Sequence, residues 1–473
     1  MRRYRSYIAG SWRPAEEYRP IINPFDGAVV AECAVTSPDQ LAQAMEAAQR
    51  GFDTMRTMPA FRRKQLLLRL LDALRERREY FARIIVEEAG KPISDARAEV
   101  ERALNVLELG AEETARIGGE LIPLDRNPTS AGTFAVTRRY PLGPVAAITP
   151  FNFPLNLGMH KIVPALAAGN SVVWKPSPVA PGPAFEFASL AHEAGLPPGS
   201  LNVVTPSDDT APLLVTDERM RLLSFTGSAA VGWRLRSLAG RKRVVLELGG
   251  AAAAIVTARC DLEHAVERCL YGAFAYSGQI CISVQRLFIE NSVYRPFLER
   301  FLAGAQALTV GDPASEDTRI GPLISDAAAE RIERWIAEAT AEGAKVLAGG
   351  TRSGRVFHPT VIEGASPQMK VFSEEVFGPV VTVAPFSSLD DALDLVNRTP
   401  WGLQAGIFTN DLDAALRAFE ALEVGSVIVN DVPTYRSDAM PYGGEKASGL
   451  GREGVRYAIE AMTALRTLVL RRA

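Results

Sequence analysis

Two side chains in this sequence could make and break an acyl bond together. One is the thiol of Cys281, in Gly278-Gln279-Ile280-Cys281-Ile282-Ser283. The other is the carboxylate of Glu247, in Leu246-Glu247-Leu248-Gly249-Gly250, 34 positions earlier. A thiol among a glycine and small polar residues suits an open, tight turn. A carboxylate in glycine-rich chain can approach it from another direction. A nucleophile and a base are what thiol-dependent acyl chemistry requires. A lone cysteine is more often a small buried hydrophobe, and Glu247 alone could cap a helix or pair with a cation. The pair gains meaning from two further motifs, Pro150-Phe151-Asn152-Phe153-Pro154 and Glu375-Val376-Phe377-Gly378-Pro379. The Asn152 amide and the Cys281 backbone N–H could both donate to an oxygen on which charge develops. Asn152 also suits a plain loop cap between two prolines.

These groups need elements to hold them. Residues 38–118 are rich in Leu, Ala, Arg and Glu at helical spacing, with Leu66, Leu67, Leu70, Leu71 and Leu74 on one stripe. After Gly118-Gly119, residues Thr133 to Arg139 alternate as an exposed strand arm would. From Gly143 the chain alternates strands (Val145–Thr149, Ser171–Trp174, Leu201–Val204, Leu222–Phe225, Val244–Leu248) with helical runs such as Ala184–Ala194 and Ala229–Leu238. That alternation predicts a doubly wound parallel sheet. A second alternating region runs from about Ala251 to Gly444, and Ala464 to Leu470 reads as a last strand.

The 473 residues exceed one ordinary core, so two or three domains are expected. A net charge of −3 gives no support for nucleic-acid binding. The basic start Met1-Arg2-Arg3-Tyr4-Arg5 leads into no apolar run, so no secretory signal is expected. Tyr140 to His160 carries no Lys, Arg, Asp or Glu, but four prolines and two asparagines make it a strand, loop and helix start rather than a membrane span. Cys33, Cys260, Cys269 and Cys281 have no metal-ligand spacing and form no disulfide framework, and the four histidines are scattered. No metal is expected, and a reducing, cytoplasmic setting fits a reactive thiol.

The Cys281, Glu247, Asn152 and Glu375 motifs together resemble the NAD(P)-dependent aldehyde dehydrogenase superfamily over nearly the whole chain. The resemblance implies an α/β fold: a Rossmann-like cofactor domain (1–120 and 141–249), an α/β catalytic domain (250–445) and a small β oligomerisation element (121–140 and 446–473). It implies a homodimer or homotetramer, with NAD or NADP as cofactor. It makes Cys281 the nucleophile, Asn152 an oxyanion donor and Glu247 the base that activates water against a thioester. Phe225-Thr226-Gly227-Ser228-Ala229-Ala230-Val231-Gly232 has Gly-x-x-x-x-Gly rather than the usual dinucleotide fingerprint. Alone it could be a mere strand-to-helix turn; in this family it is the expected form. Lys175, Ser177, Gly227, Ser228, Gly232, Leu248, Glu375 and Phe377 are the cofactor contacts so implied. Without the resemblance, Lys175 is a solvated strand-end lysine, Glu375 half of a surface acidic pair and Phe377 core. The chain departs from the pattern at Pro178, where many NAD-preferring members carry Glu, and at Pro206, where many have glycine.

Residues 430–444 resemble the branch of lactaldehyde, phosphonoacetaldehyde and non-phosphorylating glyceraldehyde-3-phosphate dehydrogenases. Arg102, Phe153, Ile280, Ile282 and Tyr435 are the substrate contacts this suggests. Arg102 stands where some members bind an anion, although a surface Glu–Arg pair on a helix is the plainer reading. Ile280 and Phe153 stand where phosphate- and phosphonate-specific members often have Arg and His. A small aldehyde, hydroxylated or carrying one carboxylate, is therefore expected rather than a phosphorylated one. Two rivals remain, a CoA-acylating enzyme and a non-catalytic structural relative. Glu247 argues against the first, and the intact Cys281, Glu247, Asn152 and Lys175 set against the second.

Overall fold

Ser37 begins the first long helix, Pro38–Met55. Its hydroxyl accepts from the Gln40 N–H while the Gln40 side chain accepts from the Ser37 N–H, a reciprocal capping box. In this computed structural model, which describes residues 1–471, three more helices follow: Ala60–Glu76, Arg78–Ala89 and Ile93–Thr114. The five leucines of the predicted stripe are all buried. Each contributes about 2 kcal/mol by burial, against about 0.3–0.5 kcal/mol for an exposed i,i+4 pair such as Arg50–Glu46. The apolar stripe therefore decides where this helix lies.

The helices cover an eight-stranded sheet. Its strands run in the spatial order Gly449–Leu450, Arg243–Glu247, Leu222–Thr226, Val145–Ile148, Val172–Lys175, Leu201–Val203, Ser6–Ile8, Ser11–Arg13. The central five are parallel and match the five predicted strands to within a residue or two. Val145–Ile148 has the next two strands of the chain on one side and the later two on the other. The strand order thus reverses beside it, and a crevice opens at the carboxyl ends there. The charge-free stretch 140–160 supplies that strand, a loop and the start of helix Asn156–Ala168.

A second, seven-stranded sheet begins five residues after Glu247, with Ala252–Val256. It pairs in parallel with Val284–Glu290 and Gln404–Phe408, and only the edge strand Lys345–Ala348 is antiparallel. Gly249 and Gly250 join the two sheets. The carboxyl ends of the first sheet's strands meet the segment that feeds Val284–Glu290, and the site forms at that junction.

The tail divides differently from the sequence expectation. Gly449–Leu450 pairs with Arg243–Glu247, and helix Val455–Ala461 packs on Asn156–Ala168 and Ile93–Thr114, so these residues join the first sheet and its helices. Only Thr463–Arg471 pairs with Thr133–Pro141 to form the projecting arm. The N-terminal strands were also not foreseen. They are short, and one of them, Tyr18–Ile22, contains Pro20; they pair largely with one another, and Ser6–Ile8 also pairs with the distant Leu201–Val203. Among the described residues, no helix is long and apolar enough to cross a membrane.

Candidate active site

Cys281 is carried by a turn that the backbone resists. Tyr276, Ser277 and Gly278 are consecutively left-handed, with φ of 46°, 54° and 70°. For the two non-glycine residues this costs about 1–3 kcal/mol each. The surroundings hold it in place. The Tyr276 hydroxyl donates to the Ala89 carbonyl at 3.0 Å, and the Tyr276 N–H to Asp95 Oδ2 at 3.0 Å. Ser277 Oγ donates to the Gly321 carbonyl and accepts from the Gly321 N–H at 2.9 and 3.1 Å. The Gln279 side chain accepts from the Ile324 N–H at 2.9 Å and donates to the Pro322 carbonyl. At Gly278 even a Cβ would lie 2.1 Å from the Gly378 carbonyl oxygen.

Asn152 follows strand Val145–Ile148 and comes from the first sheet. Its Nδ2 donates to the Gln279 carbonyl at 3.0 Å, which ties the two motifs together across the junction. An amide NH2 has two donors, so one remains for an oxygen beside Cys281. Glu247 ends strand Arg243–Glu247 and is 2% exposed, and neither carboxylate oxygen has a partner. Burial, and next the negative charge of Glu453, push its carboxyl well above the usual range. Glu453 goes the other way. Burial alone would raise it, but Lys161 at 2.7 Å and Arg436 at 3.1 Å hold it low, at about 2. Two neighbouring carboxyls are thus set apart, one held low and charged, the other raised well above the usual range so that it takes up a proton more readily.

Of the residues assigned to the cofactor, Lys175 ends strand Val172–Lys175 of the first sheet, with its amine pushed down by burial. Gly227, Ser228 and Leu248 follow directly on strand ends. Helix Ala229–Leu238 opens at Gly227-Ser228, and the Ser228 side chain makes no cap hydrogen bond, so the first N–H groups are left for an anion. A Cβ at Gly232 would lie 2.4 Å from Leu248, and one at Gly249 only 2.1 Å from Glu375. Glu375 accepts from the Gly250 N–H at 3.2 Å, and burial raises its carboxyl to about 7. Phe377 is left-handed and meets the Phe151 ring edge-on at 6.0 Å. The buried Thr226 hydroxyl has no partner. A buried carboxylate with one backbone donor, an orphaned hydroxyl and an open helix start fit a dinucleotide with ribose hydroxyls and phosphates.

On the far side of Cys281 lies a cavity of about 90 Å3. Arg102, Phe153, Ile280 and Ile282 line it, as expected. Tyr435 does not. Its side chain is 46% exposed, and its backbone carbonyl accepts from Gln404 instead. The adjacent Arg436 and, beyond it, Tyr442 turn inward. Arg102 is held by Asp438 at 2.6 Å. Burial would raise the Asp438 carboxyl, but His160 at 2.9 Å and Arg102 keep it well below the usual range. Arg436, Tyr442, Lys161 and Glu453 escaped the sequence reading. They lie more than a hundred positions from Glu247 or Cys281 in most cases, with no local pattern to mark them. Arg436 and Tyr442 did fall inside the branch-specific segment, whose unusual Arg was the available signal.

A doubly wound sheet that presses its ligand crevice against a cysteine from a second sheet is the arrangement of a dehydrogenase that works through a thiol. The chain belongs to the aldehyde dehydrogenase family, whose model matches residues 12–468. It is 43% identical to a 3-sulfolactaldehyde dehydrogenase of Priestia aryabhattai, over 99% of this chain and 98% of that one. It superposes with a TM-score of 0.98 on aldehyde dehydrogenase 21 of Physcomitrella patens, solved with the reaction product succinate, at 39% identity and 99% and 98% coverage. With an NADP-dependent glyceraldehyde-3-phosphate dehydrogenase of Bacillus halodurans, solved with NADP, the TM-score is 0.97 at 34% identity and full coverage of both chains. The protein is an enzyme that oxidises an aldehyde with NAD or NADP.

The strained turn yields a test. Gly278→Ala forces a Cβ against the Gly378 carbonyl in a left-handed conformation. It should lower stability by about 2 kcal/mol or more and reduce turnover disproportionately. Thermal melting and kcat measured together would check this.

Proposed function

We propose that this enzyme oxidises a short aldehyde bearing an anionic group, with Cys281 as nucleophile and Glu247 as the base for hydrolysis. The observation that carries the substrate class is the buried Arg436. It lines the cavity with Cys281, and its Nε has no acceptor. Such a donor calls for an anionic partner. Arg102 adds a second cation at the cavity wall. The cavity's small volume favours a chain of few carbons, and the substrate named for the Priestia relative and the product named for the Physcomitrella one are short and anionic. Sequence reasoning found the phosphate contacts missing; Arg436 supplies a cation from another side, suited to a carboxylate or sulfonate.

The steps use the chain's own groups. Cys281 Sγ adds to the aldehyde carbon, and the oxygen's developing charge is met by Asn152 Nδ2 and the Cys281 N–H. Bound NAD(P)+ supplies the hydride acceptor. Loss of hydride from the thiohemiacetal carbon leaves a thioester on Cys281. Water then attacks the acyl carbon and gives a proton to Glu247, and the C–S bond breaks to release the acid and the Cys281 thiolate, to which the proton held by Glu247 returns. The buried, unpaired Glu247 is suited to take that proton because its carboxyl lies closer to neutrality than a solvated one. It also favours water over CoA as the acceptor. The arm of Thr133–Pro141 and Thr463–Arg471 exposes Leu465, Leu468 and Val469, which supports pairing between subunits in a dimer or tetramer. All four cysteines are free, which suits a reducing compartment such as the cytoplasm.

Four outcomes are expected. Cys281→Ala abolishes turnover and leaves NAD(P) binding intact. Glu247→Gln leaves a pre-steady-state burst of NAD(P)H followed by slow turnover; an equal loss in the burst would move Glu247's main role to thiol activation.

For the substrate, kcat/KM should favour a four-carbon aldehyde with a terminal carboxylate over butanal, and Arg436→Met should shrink that ratio by about tenfold or more. An unchanged ratio would remove Arg436 from recognition.

For the cofactor, Pro178 offers no carboxylate against a 2′-phosphate, while Lys175 and Ser177 can attract one. NADP+ should be used at a useful rate with NAD+ not excluded. Pro178→Glu should shift the ratio of kcat/KM toward NAD+ by about tenfold. A melting control is needed because losing proline frees φ.

A further inference from the structure

Tyr442 lies far from Cys281 in sequence and touches it in the fold. Its hydroxyl is 3.1 Å from Cys281 Sγ, and the residue is buried. The Arg436 guanidinium lies over the Tyr442 ring, 3.7 Å from its centroid. Arg436 is in turn fixed by Glu453 Oε2 at 3.1 Å. The Tyr442 N–H donates to the Glu453 carbonyl at 3.1 Å, and the Glu453 N–H returns a bond to the Tyr442 carbonyl. Gly443 and Gly444 follow, so the ring is held between a charged stack and a tight backbone segment.

We propose that Tyr442 is a further catalytic residue: its phenol donates a hydrogen bond to the Cys281 thiolate and stabilises it before the thiol attacks. The inference rests on Cys281 being the nucleophile. The phenol keeps its proton throughout. A thiol can donate to or accept from a phenol, but a thiolate can only accept, so ionisation fixes the direction of this bond and strengthens it.

The charge balance around the sulfur shows why such a bond is needed. Burial pushes the Cys281 thiol up to about 11, and the carboxylates Glu375 and Glu247 push the same way. Only the Tyr442 hydrogen bond and the positive Arg436 oppose them. Arg436 acts across the ring it stacks on, so part of its effect depends on Tyr442 staying in place. No histidine faces the sulfur to serve as a partner, and the thiol does not sit at a helix start, the usual devices for a reactive cysteine. The phenol of Tyr442 is itself pushed well above its ordinary range, with burial the main cause. It therefore remains protonated, as a donor must. The aromatic side chain could have been placed here for packing alone, but a phenylalanine would pack as well. The hydroxyl is the part that packing does not explain.

The experiment is the pH dependence of Cys281 alkylation by iodoacetamide, with the modified peptide identified by mass spectrometry. It is paired with the pH dependence of the NAD(P)H burst. Tyr442→Phe retains the ring and its stack with Arg436. The alkylation midpoint should rise by about one pH unit, and the burst rate near neutral pH should fall about tenfold. Cofactor binding and the melting temperature should change little. A midpoint unchanged in a folded Tyr442→Phe protein overturns the proposal. If that variant fails to fold, replacing Tyr442 with 3,5-difluorotyrosine keeps the shape and makes the phenol a stronger donor. The midpoint should then fall, and an unchanged midpoint again overturns the proposal. Alkylation that maps to Cys260 or another thiol in the wild type would sink the assignment of Cys281 itself, a separate failure from an unmoved midpoint at Cys281.

Discussion

The left-handed run Tyr276-Ser277-Gly278 is the constraint on which the site depends. It aims Cys281 back toward the first sheet instead of letting the chain pass directly into strand Val284–Glu290. The conformation is costly for two of its residues, and it persists because segments from three other parts of the chain hold it and the adjoining Gln279. Those segments include the ends of two helices in the first half and the loop near Gly321. The nucleophile is therefore positioned only when both halves of the molecule have packed. A thiol on a free loop would have no such dependence.

The junction between the sheets also divides the chemical roles. The first sheet delivers Asn152, Lys175, Glu247 and the Gly227 turn from the carboxyl ends of its strands, where a doubly wound sheet collects ligands. The second delivers Cys281 and Glu375. Asn152 bonds to the Gln279 carbonyl, and Glu375 to the Gly250 N–H, so each half holds a group belonging to the other. These two bonds tie the strand ends of the first sheet to the segments that carry Cys281 and Glu375. A shift of one sheet against the other would break both.

Buried charge is distributed around the cavity in the same cooperative way. Lys161, Arg436 and Glu453 satisfy one another, as do Arg102, His160 and Asp438. Left over around the site are the two oxygens of Glu247, the Nε of Arg436, the Nδ1 of His160, the Oδ1 of Asn152 and the side-chain amide of Asn156. Unpaired groups at buried positions are costly, and Arg436 and Asn156 line the cavity that holds Cys281. The neighbouring charged network keeps Glu453 ionised, and that negative charge helps keep Glu247 able to accept a proton.

The sequence by itself determined the family, the five parallel strands and the helices between Pro38 and Thr114, and it singled out Cys281, Glu247 and Asn152, which lie in three separate motifs. These were legible because periodicity and short motifs are local, and a glycine or proline beside a reactive group marks its turn. It also marked Arg102 and the glycines of the crevice, and it identified which phosphate contacts are missing. Only the tertiary structure decided that Arg436 and not Tyr435 enters the cavity. Adjacent residues on irregular chain point in directions that no period fixes. Only the fold showed that the tail around Gly449 and Val455 closes the first sheet, because an edge strand of two residues has no pattern of its own. The contact of Tyr442 with Cys281 and the opposed ionisation of Glu247 and Glu453 were likewise invisible, since both arise from burial and from charges brought together across the chain.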